Sequence, residues 1–182
     1  VKGEKPLCRV FPPLFLRIAM TNQTWSPSKA CADFVADLQY ADIPAAVIDT
    51  MKRDTLDWIG CAVGGAADRS SQPIKAVADV LGGNSQATSI DCGRRNVVLA
   101  AMSNAYFGHI LEMDDVDRDS ISHPATPNLA AAFAAAEFAG KQGKDVLLAA
   151  VCGFEIMLRI GAAITPAHYK IFHTTATTGV FG

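Results

Sequence analysis

From Ser26 onward the apolar residues recur at three- and four-residue spacing, the period of helices that bury one face. Ser26-Pro27 supplies an N-cap and an N1 proline, and Phe34, Val35 and Leu38 mark the apolar face of a first helix. A second opens at Pro44, with Val47, Ile48, Met51, Leu56, Ile59, Ala62 and Val63 on its apolar positions, and Gly64-Gly65 predicts its end. A third, short helix starts near Gln72-Pro73, carries Ile74, Val77, Ala78 and Leu81, and stops at Gly82-Gly83. Residues 84–95 are polar and turn-rich, with room for at most one short strand around Ala87 to Ile90. A fourth helix is expected from about Asn96 to Met113, followed by an acidic loop over 114–125. Thr126-Pro127 opens a fifth, Ala-rich helix that runs through Phe138 and is closed by Gly140. A sixth runs from about Lys144 to Ile164 and ends before Pro166; its Glu155 and Arg159 are spaced as a surface i,i+4 pair. The fold expected is all-α, a compact multi-helix bundle whose Ala-dense helices approach closely.

Composition narrows the class. The 182 residues are 50% hydrophobic and 19% charged, enough apolar material for one sizeable core and too much for a disordered chain. Lys and Arg number 16 against 18 Asp and Glu, so no basic excess exists to neutralise a nucleic-acid backbone. Glu137, Glu155 and Arg159 interrupt the apolar stretches, which makes these core helices and not membrane spans. Cys8, Cys31, Cys61, Cys92 and Cys152 form no Cys-x-x-Cys and are odd in number, so they read as reduced thiols in a cytoplasmic protein. In Val1–Ala19, Lys2, Lys5 and Arg9 precede an apolar run, but Pro12-Pro13 and Arg17 break it; Met20 looks like an ordinary start. Residues 1–19 are therefore taken as leader or tag-like and 20–182 as the domain. The ending Thr177-Thr178-Gly179-Val180-Phe181-Gly182 resembles a helix start with its helix unspent, and the expectation is a truncated domain with apolar surface left exposed.

All four histidines, His109, His123, His168 and His173, lie in the second half, the first two among Glu112, Asp114, Asp115, Asp117 and Asp119. His109 and Glu112 are three apart and are expected to share a helix face, with the acids where the helix yields to the loop. Negative charge at a helix C-terminus opposes the macrodipole, which invites a functional explanation over a merely solvated loop. His123 precedes a proline and then the helix start at Thr126; His173 precedes Thr174, Thr175, Thr177 and Thr178, another helix start. Free N–H groups at such starts suit a carboxylate or phosphate, although the threonines also serve as plain caps. Asp115-x-Asp117-x-Asp119 imitates an EF-hand opening, but Ser120 stands where Gly is needed and Thr126 where Glu is needed. No zinc spacing and no Gly-x-Ser-x-Gly occurs, so no metal is expected.

The ordered set His109-Ile-Leu-Glu112-Met-Asp114-Asp115, His123-Pro124, an Ala-rich helix, Gly153-Phe-Glu155, Arg159-Ile160, Phe172-His173 and Thr178-Gly179-Val-Phe-Gly182 resembles the MmgE/PrpD family. The similarity runs from about Ser26 to Gly182 and includes the Asp57-x-x-Gly60-Cys61 segment. That family includes 2-methylcitrate dehydratase, cis-aconitate decarboxylase and iminodisuccinate epimerase. The resemblance implies a two-domain enzyme, usually a homodimer, of which this chain is the helical part without the α+β lid. It also implies action on small polycarboxylates with no metal or organic cofactor. Carried over by position, Glu112 takes the place of the first aspartate of the acidic motif, His123 that of the loop histidine, and His173 that of the histidine before the next helix. The family's lysine would fall beyond Gly182. Glu112 replaces the commoner Asp, Val116 stands where some members have Thr, and the Asp115–His123 spacing is about one residue longer; these differences bear on the substrate more than on the fold.

On this resemblance His123 and His173 are expected to bind and move protons, with Glu112 and Asp115 orienting them or acting as acid. His109, Thr126, Thr174 and Thr175 are expected to hold the substrate. A base near neutral pKa is what proton removal beside a carboxylate requires, and imidazole supplies it. Without lid and lysine the isolated chain is expected to be inactive. The rival readings are a non-catalytic packing or dimerising helical module and, third, an acidic divalent-cation-binding module.

Overall fold

A computed structural model describes residues 26–90 and 93–182. The leader-like segment 1–19, Cys8 and Cys92 lie outside the described residues. Helix α1 (Pro27–Asp37) starts as its sequence dictates, with the Ser26 side chain accepting from Lys29 N and Pro27 at N1. It is followed by α2 (Ala45–Ala67), α3 (Gln72–Leu81), strands β1 (Ala87–Ser89) and β2 (Gly93–Arg95), α4 (Val97–His109), α5 (Ala125–Phe138), α6 (Gly143–Ile164) and α7 (Thr174–Thr178). The fold is mostly helical, as expected.

The departures from the sequence expectation have physical causes. Helix α2 does not stop at Gly64-Gly65 but continues through both to Ala67. Gly65 is a close-approach site, because a Cβ there would overlap the Phe107 carbonyl of α4. Leu56, Ile59 and Val63 are exposed, and Trp58, buried and stacked on Phe133 of α5 at 5.8 Å, takes the core position instead. Gly82, at φ 57, does cap α3 as predicted.

Two strands form where at most one was expected, Ala87–Ser89 pairing antiparallel with Gly93–Arg95. The second has no apolar alternation to betray it. A side chain from α4 holds the hairpin: Asn104 accepts from Ile90 N at 2.9 Å and donates to Thr88 O at 2.9 Å. Glu155 and Arg159 pair as spaced, but Glu155 is buried, so the pair belongs to the interior and not to the surface.

One core cluster joins α1, α2, α4, α5 and α6 through Phe34, Met51, Trp58, Phe107, Leu129 and Phe154. Helix α6 is long and apolar enough to cross a membrane by length and composition, yet its run from Ala150 to Leu158 is buried against the other helices. Among the described residues Cys31, Cys61 and Cys152 are free thiols, Cys152 buried.

The α2–α4 contact gives a direct check. Gly65→Ala should destabilise by about 1–3 kcal/mol through overpacking. Gly60→Ala, in open space on the same helix, should stabilise by about 0.5–1 kcal/mol in denaturant unfolding.

Candidate active site

Helix α4 ends at His109, four residues short of the expected Met113. The chain then tightens into a turn in which Glu112 N donates to His109 O at 2.9 Å and Glu112 adopts φ 53. Glu112 therefore lies beyond the helix and not on its face, although its Oε1 still comes within 3.3 Å of His109 Nε2. The turn drops Asp114 beneath the end of the helix, where its side chain is wholly buried.

Asp114 is where the site is organised. Its Oδ1 accepts from His109 Nδ1 at 3.0 Å, lies 3.4 Å from His123 Nδ1, and its Oδ2 accepts from Thr126 Oγ1 at 2.8 Å. Burial alone would push this carboxyl up. The hydrogen bonds from His109 and Thr126, and the charge of both histidines, hold it below its ordinary value. In return, the hydrogen bond to Asp114 raises His109 above 6.5 despite burial, helped by the charges of Asp114, Glu112 and Asp115.

The loop that returns the chain to His123 is locked by its own side chains. Asp117 Oδ2 accepts from Ser120 N and Oγ, Ser120 Oγ meets Ser122 Oγ at 2.6 Å, and Asp117 and Ser122 form a backbone bridge. From α6, Thr165 Oγ1 donates to Ser120 O at 3.0 Å. His123 N donates to Thr175 Oγ1 at 2.9 Å, which ties the loop to α7. The ring of His173, the residue before α7, is then 6.1 Å from that of His109 and 6.4 Å from that of His123, while His109 and His123 are 4.8 Å apart. Three imidazoles separated by up to 64 residues in sequence thus lie with their ring centroids within 6.4 Å of one another.

Of the residues singled out in the sequence, His109, Glu112, His123 and His173 come together. The others take different places. Helix α5 begins at Ala125, and its first N–H groups do not await a ligand: Ala125 N donates to Asp115 Oδ1 at 3.0 Å. Thr126 serves Asp114, Thr175 serves the His123 backbone, and Thr174 is fully buried. Asp115 is within electrostatic reach of Asp54 and Asp57 on α2. Burial lifts it to about 7, with Asp54, Asp114 and Asp57 adding repulsion against the Ala125 hydrogen bond; Asp54 rises to about 6, mainly by burial. Burial first, and then the charges of Asp57, Asp114 and Asp115, raise Cys61, which leaves that thiol a poor nucleophile. His168 stands apart, bonded to Thr177 Oγ1 at 2.9 Å and stacked on Phe172. In the sequence Asp114 counts among the acids where the helix yields to the loop, and no role of its own was expected for it.

Two titrations follow. Asp114→Asn removes the bond that lifts His109 and leaves its burial, so the His109 midpoint should fall, as read by NMR of the ring protons. For Asp115, a carboxyl raised from 3.8 to about 7 costs the fold nothing at low pH and its full penalty above 7. The stability gain of Asp115→Asn should therefore grow from pH 4 to pH 7 and then level off, in urea unfolding across pH.

Comparison with known proteins identifies the family. Residues 29–182 match the model of the MmgE/PrpD N-terminal domain. A cis-aconitate decarboxylase of Aspergillus terreus is 36% identical over 137 residues, which cover 72% of this chain and 28% of that protein. A cis-aconitate decarboxylase-like protein of Aspergillus oryzae is 36% identical over 141 residues, 72% of this chain and 29% of its own length. The chain spans less than a third of the length of these curated relatives. With a family match over all but a short stretch of its described residues, the chain belongs to the MmgE/PrpD family and represents its N-terminal domain.

Proposed function

We propose that this domain supplies the imidazole side of the active site of a lyase or epimerase for small polycarboxylates, working without metal or organic cofactor in a cytoplasmic protein. The observation that carries the reading is the gathering of His109, His123 and His173, the first two beside one buried carboxylate. A module that served only for packing would have no use for three imidazoles drawn together from three parts of the chain.

The roles follow from position. His109, kept cationic to higher pH by Asp114, binds a substrate carboxylate. His123 and His173 face the same space and move protons. Glu112, on the exposed turn, orients His109 or acts as acid. Asp115 is a positioning residue: it holds the start of α5, and so His123.

The relatives' name makes decarboxylation of cis-aconitate the first reaction to try. There the bond from carbon to carboxylate breaks, carbon dioxide leaves, and the electron pair stays on carbon until an imidazolium protonates it. In dehydration a neutral imidazole would take the proton beside the carboxylate, and the neighbouring hydroxyl would leave as water with a proton from an imidazolium or Glu112. Epimerisation would instead return a proton to the same carbon from its opposite face.

Addition of cis-aconitate to the 182-residue chain should move the ring resonances of His109, His123 and His173 but not of His168. Binding should weaken as pH rises through the raised His109 pKa and its charge is lost. Where turnover is measured in a complete enzyme carrying this domain, His123→Ala should lower it by about 10²–10⁴-fold. Unmoved histidine resonances, or near-normal turnover, would overturn the assignment.

A further inference from the structure

The ring arrangement that suits proton transfer also meets the demands of a metal site. One nitrogen from each of His109 and His123 and one Glu112 oxygen lie within 4.8 Å of one another, the three-ligand group found among the described residues. The edge between His109 Nε2 and Glu112 Oε1 is already 3.3 Å. Two ligands bound tetrahedrally at about 2.0–2.1 Å are themselves about 3.3–3.4 Å apart. Behind them, Asp114 is hydrogen-bonded to Nδ1 of His109 at 3.0 Å, which leaves the His109 Nε2 lone pair for a ligand, while His123 Nδ1 lies 3.4 Å from the same carboxylate without a hydrogen bond. A carboxylate behind a ligating histidine is the usual support of such sites, fixing tautomer and orientation.

From this geometry we propose that His109, His123 and Glu112 form a binding site for one divalent transition-metal ion of the zinc type, supported by Asp114. Two imidazoles and a carboxylate suit zinc or cobalt and not calcium or magnesium, which take six or more oxygens. Glu112 is 70% exposed at the side chain, so it is free to close the remaining gap and leaves a fourth position open to water. The sequence hid this set because its ligands follow no zinc spacing and come from a helix end, a turn and a loop. The ion would occupy the ring nitrogens that the proposed chemistry needs, so metal and turnover exclude one another. That consequence rests on the function proposed above, whereas the binding itself does not.

The test uses the 182-residue chain with zinc or cobalt alone and no polycarboxylate, so its failure leaves the catalytic reading standing. Calorimetry should show one zinc per chain, and cobalt should give the intense visible spectrum of a tetrahedral nitrogen and oxygen site. His123→Ala should weaken zinc at least tenfold and abolish that spectrum. Glu112→Gln, on an exposed turn where folding is not at stake, should also weaken it at least tenfold, and Asp114→Asn by about 10–100-fold. His168→Ala should bind as the parent does. Absence of binding, unchanged affinity in Glu112→Gln together with His123→Ala, or a thiolate charge-transfer band from cobalt would each overturn the proposal.

Discussion

A carboxylate taken out of water must either be protonated or be surrounded by donors, and Asp114 is surrounded. His109, Thr126 and the nearby His123 ring supply what solvent would have supplied, and each of them is fixed in turn. The end of α4, the start of α5 and the loop between them are thereby pinned to one buried charge. Lose it, and the rings lose their common reference. The neighbouring Asp115 shows the alternative outcome: burial, with repulsion from Asp54, Asp114 and Asp57, outweighs its one backbone donor and pushes it up to about 7. Two adjacent aspartates thus hold opposite protonation tendencies because hydrogen bonds and imidazole charge offset the burial of one, while the other is buried with a single donor among acids.

The scaffold delivers this arrangement by close helix packing. Gly65 allows α2 to lie against the Phe107 carbonyl, and Gly108 leaves room for both Trp58 and Thr126 beside the last turn of α4. Trp58 then stacks on Phe133 and joins α2 to α5 directly beneath the site. The histidine end of the domain is therefore carried on packed helices, and the irregular parts are short: a left-handed Glu112, a left-handed Ile121 and the serine loop locked by its own hydrogen bonds.

Much of this was legible in the sequence and some was not, for reasons tied to particular residues. Helical period and proline or glycine punctuation located six of the helices, because amphipathic spacing and caps act locally. Gly64-Gly65 misled because a glycine pair has two uses, ending a helix or admitting another one, and only the position of Phe107 decides between them. Thr126 looked like a cap awaiting an anion. In the fold the anion is the protein's own: Asp114 takes the hydroxyl and Asp115 takes the adjacent N–H. Convergence of His173 with the other rings depends on Thr175 gripping the His123 backbone across 52 residues, a contact that no local pattern encodes.

The central claim is that Asp114 fixes the proton of His109 on Nδ1, leaving Nε2 unprotonated on the side of Glu112. Long-range proton–nitrogen NMR of the histidine rings, at a pH where His109 is neutral, reads this directly. The account predicts the Nδ1–H tautomer for His109; the Nε2–H tautomer there, with Nδ1 bare towards Asp114, would contradict it.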